Sequence, residues 1–201
     1  MKLKLGLCGS HRTGKTTLAE AISQELGIPF VKTDTARVFR QNGLEPSGSM
    51  DFKTRLHIQH SIIAAAQDIW NMENGPFITD RTPVDMMAYT LGDIRGDTPA
   101  DFSKLENYLA HCFDAANKTF TMLIIIQPAI PLIYEQGKAA LNRAYMEHLN
   151  TLILGLCGDE QLRCPSLVIT RAMTDIGERV RAVGNAVNKL VGKGFRQWKD
   201  A

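Results

Sequence analysis

The sequence predicts a three-layer α/β domain built on a parallel sheet, and three observations carry that reading. Five short apolar runs recur along the chain, helical patterns fill the spaces between them, and no internal repeat or low-complexity linker breaks the alternation. The 201 residues are 44% apolar, enough for one ordinary domain to bury a core without a disulfide or metal staple. A single domain over 1–201 is the expectation.

Taken in order, residues 3–8, 29–33, 76–79, 121–126 and 166–170 are the candidate strands. Each is nearly continuous in apolar residues, the pattern of a parallel strand covered on both faces. Leu18, Ile22 and Leu26 recur every four residues and give the first helix one apolar stripe. Phe52, Leu56, Ile62, Ile63, Ala66, Ile69 and Trp70 give the segment from Phe52 to Met72 a broader helical pattern. Residues 42–49 and 92–99 read as loops.

Charge and cysteine content exclude several classes. Charged residues make up 22% and the formal net charge is +2, which excludes a disordered polyion and neither demands nor forbids nucleic acid. Apolar stretches such as 122–126 run to five residues at most, far too short for a bilayer span, and the N-terminus shows no signal-peptide pattern. Cys8, Cys112, Cys157 and Cys164 are scattered without zinc-type spacing. A cytoplasmic chain with reduced thiols and no membrane contact is expected.

Directly after the first strand run, Gly9-Ser10-His11-Arg12-Thr13-Gly14-Lys15-Thr16 matches G-x-x-x-x-G-K-[ST] at every position. By composition alone, about one chain in a hundred of this length would match by chance, and here the motif also sits between a strand and an amphipathic helix. The glycines let the backbone wrap an anion so that successive N–H groups point inward, and the helix N-terminus adds to the same field. Lys15 is expected to bridge the β- and γ-phosphates of ATP, and the Thr16 hydroxyl to ligate Mg²⁺. Ser10, His11, Arg12, Thr13 and Thr17 complete the candidate nucleotide-binding set.

The loop defines a donor site but not a reaction. A guanine-reading Asn-Lys-x-Asp element is missing, because the chain offers only Asn117-Lys118-Thr119-Phe120 and Asn188-Lys189-Leu190-Val191. The third strand run ends in Thr79-Asp80-Arg81, so an arginine stands where a hydrolase places its water-activating glutamate. Asp80 suits Mg²⁺, and Arg81 suits charge developing on a transferring phosphoryl group, which favours transfer to a bound acceptor over transfer to water. Thr82, with Pro83 after it and Asp85 three residues on, is the better helix cap, which leaves Asp80 free; Asp85 reads as part of that cap. At the end of the second run, Asp34 is either the N-cap of a short helix or the base that takes the proton of an attacking hydroxyl, two compatible roles. Arg37, one turn on, would hold an acceptor or transferring phosphate.

These three motifs together resemble the P-loop kinases of nucleosides, nucleotides and polynucleotides. Asp34-x-x-Arg37 resembles the element of 5′-hydroxyl polynucleotide kinases, Asp80-Arg81 that of deoxynucleoside kinases, and Thr79-Asp80-Arg81-Thr82-Pro83-x-Asp85 the nicotinamide-riboside-kinase-like ATPases. The resemblance implies a five-stranded parallel core, an acceptor-binding region at about 34–75 and a small lid at about 127–149. Within that lid span Arg143 is the candidate to reach the donor phosphates on closure, or else pairs with Glu147 one turn on.

A base at Asp34 points to an alcohol acceptor: a nucleoside sugar, a polynucleotide end, or a hydroxymethylpyrimidine base in DNA. Arg40, Lys53, Arg55, His57, Gln59, His60 and Gln67 are the polar side chains that would shape its site. Residues 179–201 carry six Lys or Arg side chains with Phe195 and Trp198 between them, the mixture of either a single-stranded nucleic-acid surface or a solvated last helix. The expected function is Mg²⁺- and ATP-dependent phosphoryl transfer to a nucleoside-type hydroxyl. A nucleoside monophosphate kinase and a non-catalytic ATP-binding regulatory module are the alternatives.

Overall fold

The computed structural model of the chain describes residues 2–45, 48, 50–129 and 142–192. Four parallel strands form one sheet in the order β2-β1-β3-β4: β1 (Lys4–Cys8), β2 (Phe77–Thr79), β3 (Met122–Ile126) and β4 (Ser166–Ile169). The helices are α1 (Lys15–Leu26), α2 (Thr35–Gln41), α3 (Phe52–Met72), α4 (Pro83–Gly92), α5 (Phe102–Thr119), α6 (Arg143–Cys157) and α7 (Ile176–Val191). The periodicity over 52–72 is thus realised residue for residue. No described helix is long and apolar enough to cross a membrane.

Strand parity divides the core into two halves. Leu3, Leu5 and Leu7 of the β1 run, Ile78, Met122, Ile124, Ile126 and Ile169 share one cluster with Leu18 and Ile22 of α1 and Val183 and Val187 of α7. The alternate positions Cys8, Phe77, Leu123 and Ile125 belong to the second cluster, with side chains of α2 to α6. Two covered faces explain why β1, β2 and β3 read as unbroken apolar runs.

Two expectations need correction. Among the described residues the sheet has four strands, not five: residues 29–33 make only an isolated parallel bridge, Phe30 to Ile78, held by Ile78 N–H to Pro29 C=O (2.9 Å) and Val31 N–H to Ile78 C=O (2.8 Å). β2 is itself three residues long and Thr79 is its last, so this ladder has no room to grow. Nor is β4 covered on both faces. It is the opposite edge strand, with Ser166 and Val168 exposed.

β1 lies between β2 and β3, so the chain leaves it in both directions. The carboxyl end of β1 is therefore the switch point at which α/β sheets bind ligands, and Gly9 follows it directly.

Candidate functional site

The phosphate-loop residues fill that switch point. Gly9 is sterically required: a Cβ there would meet the Ile126 carbonyl oxygen at 2.7 Å and Thr13 Oγ1 at 3.1 Å. Gly14 caps α1 at φ 83° and Arg12 stands at φ 61°, both left-handed, which bends the loop into the concave form that an anion nest needs. Thr13 Oγ1 donates to Ser10 C=O at 2.9 Å and staples the loop from within. Ser10 and Thr13 are buried, and Thr17 points to solvent.

Lys15 is buried, and its Nζ donates to the carbonyls of Gly9 (2.7 Å) and Ser10 (2.8 Å). Burial lowers its pKa to about 8, against the pull of Asp85. Beside it the Thr16 hydroxyl donates to Asp80 Oδ2 at 2.5 Å, bringing the end of β2 onto the first turn of α1. A hydroxyl and a carboxylate make a hard-oxygen donor pair, which fits Mg²⁺ because this ion takes one or two protein oxygens and completes its shell with water and substrate phosphate. Among the described residues no group of three or more His, Cys, Asp or Glu side chains is placed to hold a metal.

Asp85 does more than the expected capping. The box with Thr82 is present, and the carboxylate spends Oδ2 on it, accepting from Thr82 N–H (3.0 Å) and Oγ1 (2.8 Å). Its Oδ1 accepts the N–H of Gly9 at 3.0 Å, so one buried side chain joins the start of α4 to the start of the phosphate loop. Burial raises its pKa, with Lys15 and Arg81 pulling the other way. For Arg81 burial opposes the charge, and Tyr89, Asp85 and Asp80 together outweigh it, so its pKa is raised. Its guanidinium lies over the Tyr89 ring, 5.5 Å from the centroid.

Tyr89 and Tyr145 belong to the same wall, and sequence reasoning did not find them. The Tyr89 hydroxyl is 3.5 Å from His11 Nδ1, and the Tyr145 ring is 5.8 Å from that of His11. Tyr89 stands one turn after Asp85, a spacing that could have pointed to it; nothing local points to Tyr145.

Asp34 caps α2, accepting Arg37 N–H at 3.0 Å, and its ion pair is with Arg40 (3.4 Å) rather than with Arg37. Its carboxylate is 57% exposed, and Arg37 is also exposed. Arg55 pairs with Asp93 at 2.9 Å across α3 and the end of α4. His57 and His60 are exposed, and the His60 ring stands edge-on to Tyr108 at 5.0 Å. Of the span at 127–149, residues 130–141 lie outside the described residues, and 143–149 form the first half of α6. Arg143 is exposed there, while Glu147 pairs through both oxygens with Arg171 (2.6 and 2.5 Å). Phe195 and Trp198 lie outside the described residues, and Arg179 is not on the surface at all, being 1% exposed.

Comparison with known proteins bears on the family and the fold. The chain matches a family model described as an AAA domain over residues 4–122. No curated protein matches it in sequence. Among solved structures it is similar to deoxyadenosine kinase from M. mycoides with the products dCMP and a flexible dCDP bound (TM-score 0.68, 18% identity, covering 94% of this chain and 100% of that one). It is also similar to thymidylate kinase from Ehrlichia chaffeensis (TM-score 0.62, 14% identity, 93% and 98% covered). A NadR protein in complex with NAD and AMP-PNP gives a TM-score of 0.66 at 14% identity, with 92% of this chain and 49% of that one covered. The fold is that of the P-loop nucleoside and nucleotide kinases, and with more than half of its length matched the chain belongs to the AAA domain family.

Proposed function

We propose that the chain is a Mg²⁺- and ATP-dependent kinase that transfers the γ-phosphoryl group to a hydroxyl of a nucleoside-type acceptor. The observation that carries this reading is the Thr16–Asp80 hydrogen bond beside buried Lys15, with Arg81 rather than a glutamate next in the chain. Thr16 and Asp80 would hold Mg²⁺, which supplies charge neutralisation at the β- and γ-phosphates when bound. Lys15 and the loop N–H groups of residues 9–16 hold the donor, and Arg37, Arg81 and Arg143 add positive charge. The acceptor oxygen forms a bond to Pγ as the bond from Pγ to the bridging oxygen breaks. The ADP oxygen keeps that electron pair, and the hydroxyl proton passes to Asp34. The acceptor region is assigned to about 34–75 and the lid to about 127–149, within one domain. The acceptor is either a free nucleoside or a nucleic acid, including a hydroxymethylpyrimidine base in DNA, and a reducing cytoplasmic setting suits four free cysteines.

A specific observation favours a second reading. Asp34 is already engaged by Arg37 N–H and by Arg40, as a residue that only caps and orients would be. A phosphate acceptor is ionised and needs no base, so the chain would then be a nucleoside monophosphate kinase. Asp34→Asn separates the two, because Asn caps a helix as well as Asp but accepts no proton. For a hydroxyl acceptor, turnover falls at least about a hundredfold with ATP binding kept. Near-normal turnover supports the phosphate acceptor. The assay is transfer of labelled γ-phosphate to nucleosides, nucleoside monophosphates, 5′-hydroxyl oligonucleotides and DNA bearing hydroxymethylpyrimidines, with Lys15→Ala as the blank. ATP binding without label on any acceptor would favour a non-catalytic regulatory module instead.

A further inference from the structure

Arg179 takes no part in the chemistry proposed above, yet it is the most deeply buried Lys or Arg side chain among the described residues, and it lies beside the phosphate loop. It stands four residues before Val183 on the inward stripe of α7 and is 1% exposed. Its Nε donates to the Met173 carbonyl at 2.8 Å, and its Nη1 to the carbonyl of Thr13, inside the phosphate loop, at 3.4 Å. Nη2 is buried with no hydrogen-bond partner, and among the described residues no carboxylate pairs with the group.

A guanidinium buried against carbonyl oxygens alone is a costly arrangement for folding. The loop supplies a reason for keeping it. In a trans peptide the C=O of Thr13 and the N–H of Gly14 point in opposite directions. A cation drawing on the Thr13 oxygen fixes the plane of that peptide and polarises the Gly14 N–H on its other side. The same unneutralised charge, in a poorly screened interior, attracts any anion cradled by the loop. Through Met173 it also ties the connection between β4 and α7 to that loop.

We infer that Arg179 is a positioning residue of the phosphate site, holding the Thr13–Gly14 peptide in its anion-binding orientation and adding positive charge from behind the loop. This rests on the phosphate-site reading and extends it to a residue from the far end of the chain. The test uses Arg179→Gln and Arg179→Lys in the full chain, with calorimetric binding of Mg-ATP and of Mg-tripolyphosphate, which has no base or sugar. Arg179→Gln is expected to weaken both ligands by the same factor, about tenfold, and Arg179→Lys to weaken both by less. A loss confined to ATP would overturn the inference, since Arg179 would then only steady the β4–α7 connection. So would unchanged binding of both ligands, or loss of the folded state in both variants. Wild-type protein that binds both ligands but phosphorylates no acceptor would sink the kinase reading and leave this inference standing. Wild-type protein that binds neither would sink both.

Discussion

At the residue scale, the burial of a charged Lys15 works against folding. Burial lowers its pKa from 10.5 to about 8, a difference of about 3 kcal/mol between its protonated and neutral forms. A lysine whose folded pKa is depressed contributes least stability below that pKa. Its contribution returns as pH rises from about 8 to 10.5, because over that window the unfolded chain binds more protons than the folded one. Without nucleotide, the melting temperature of the wild type relative to Lys15→Met should therefore rise between pH 7 and pH 10. A difference that is flat or falls over this range would contradict the burial of a charged Lys15. Asp85 has the opposite sign: its pKa is raised by burial, so its contribution is complete below the unfolded value of 3.8 and declines as pH rises through the folded one. In both residues burial penalises the charged form in the folded chain. The Lys15 position was legible because a contiguous motif specifies it. The second bond of Asp85, to a glycine 76 residues earlier, was not, because a capping box describes only the local turn.

At the scale of elements, the start of α4 and the phosphate loop behave as one unit joined by Asp85. Its two oxygens accept from three donors, Gly9 N–H, Thr82 N–H and Thr82 Oγ1. Asparagine has a single acceptor oxygen and would turn an NH₂ group toward one of those sets. Asp85→Asn is expected to lower stability by about 2 kcal/mol, read as a shift in urea midpoint, and to weaken ATP binding, since the Gly9 N–H loses its partner. An unchanged midpoint would show that the carboxylate does not join the two elements. The edge elements show where pattern alone misleads. Residues 29–33 have strand composition, yet three-residue β2 offers them only one bridge. β4 looks apolar but, among the described residues, has no strand on its outer side. Strand extent depends on the partner's length, which composition does not record.

Across the whole molecule, two cores on opposite faces of one sheet hold β1 rigid, and the phosphate loop inherits that rigidity at its carboxyl end. A ligand that binds only the folded chain stabilises it by mass action. At a hundredfold excess over its Kd, Mg-ATP should add about 2.7 kcal/mol, or about 5–10 °C in melting temperature for a chain of this size. The shift should vanish in Lys15→Ala. Persistence of the full shift in that variant would place ATP somewhere other than the phosphate loop.

The fold class, the glycine-rich loop after β1, the capped start of α4 and the span of α3 could all be read from the chain, because each is written in periodicity or in contiguous spacing. Folding in three dimensions was needed to show that Asp80 meets Thr16, that Asp85 holds Gly9, that Asp34 pairs with Arg40 while Glu147 pairs with Arg171, and that Arg179 lies buried behind Thr13. Most of these contacts join residues on different elements, from 24 to 166 positions apart. No local pattern encodes the partner of a side chain whose neighbour is brought to it by the order of strands in a sheet.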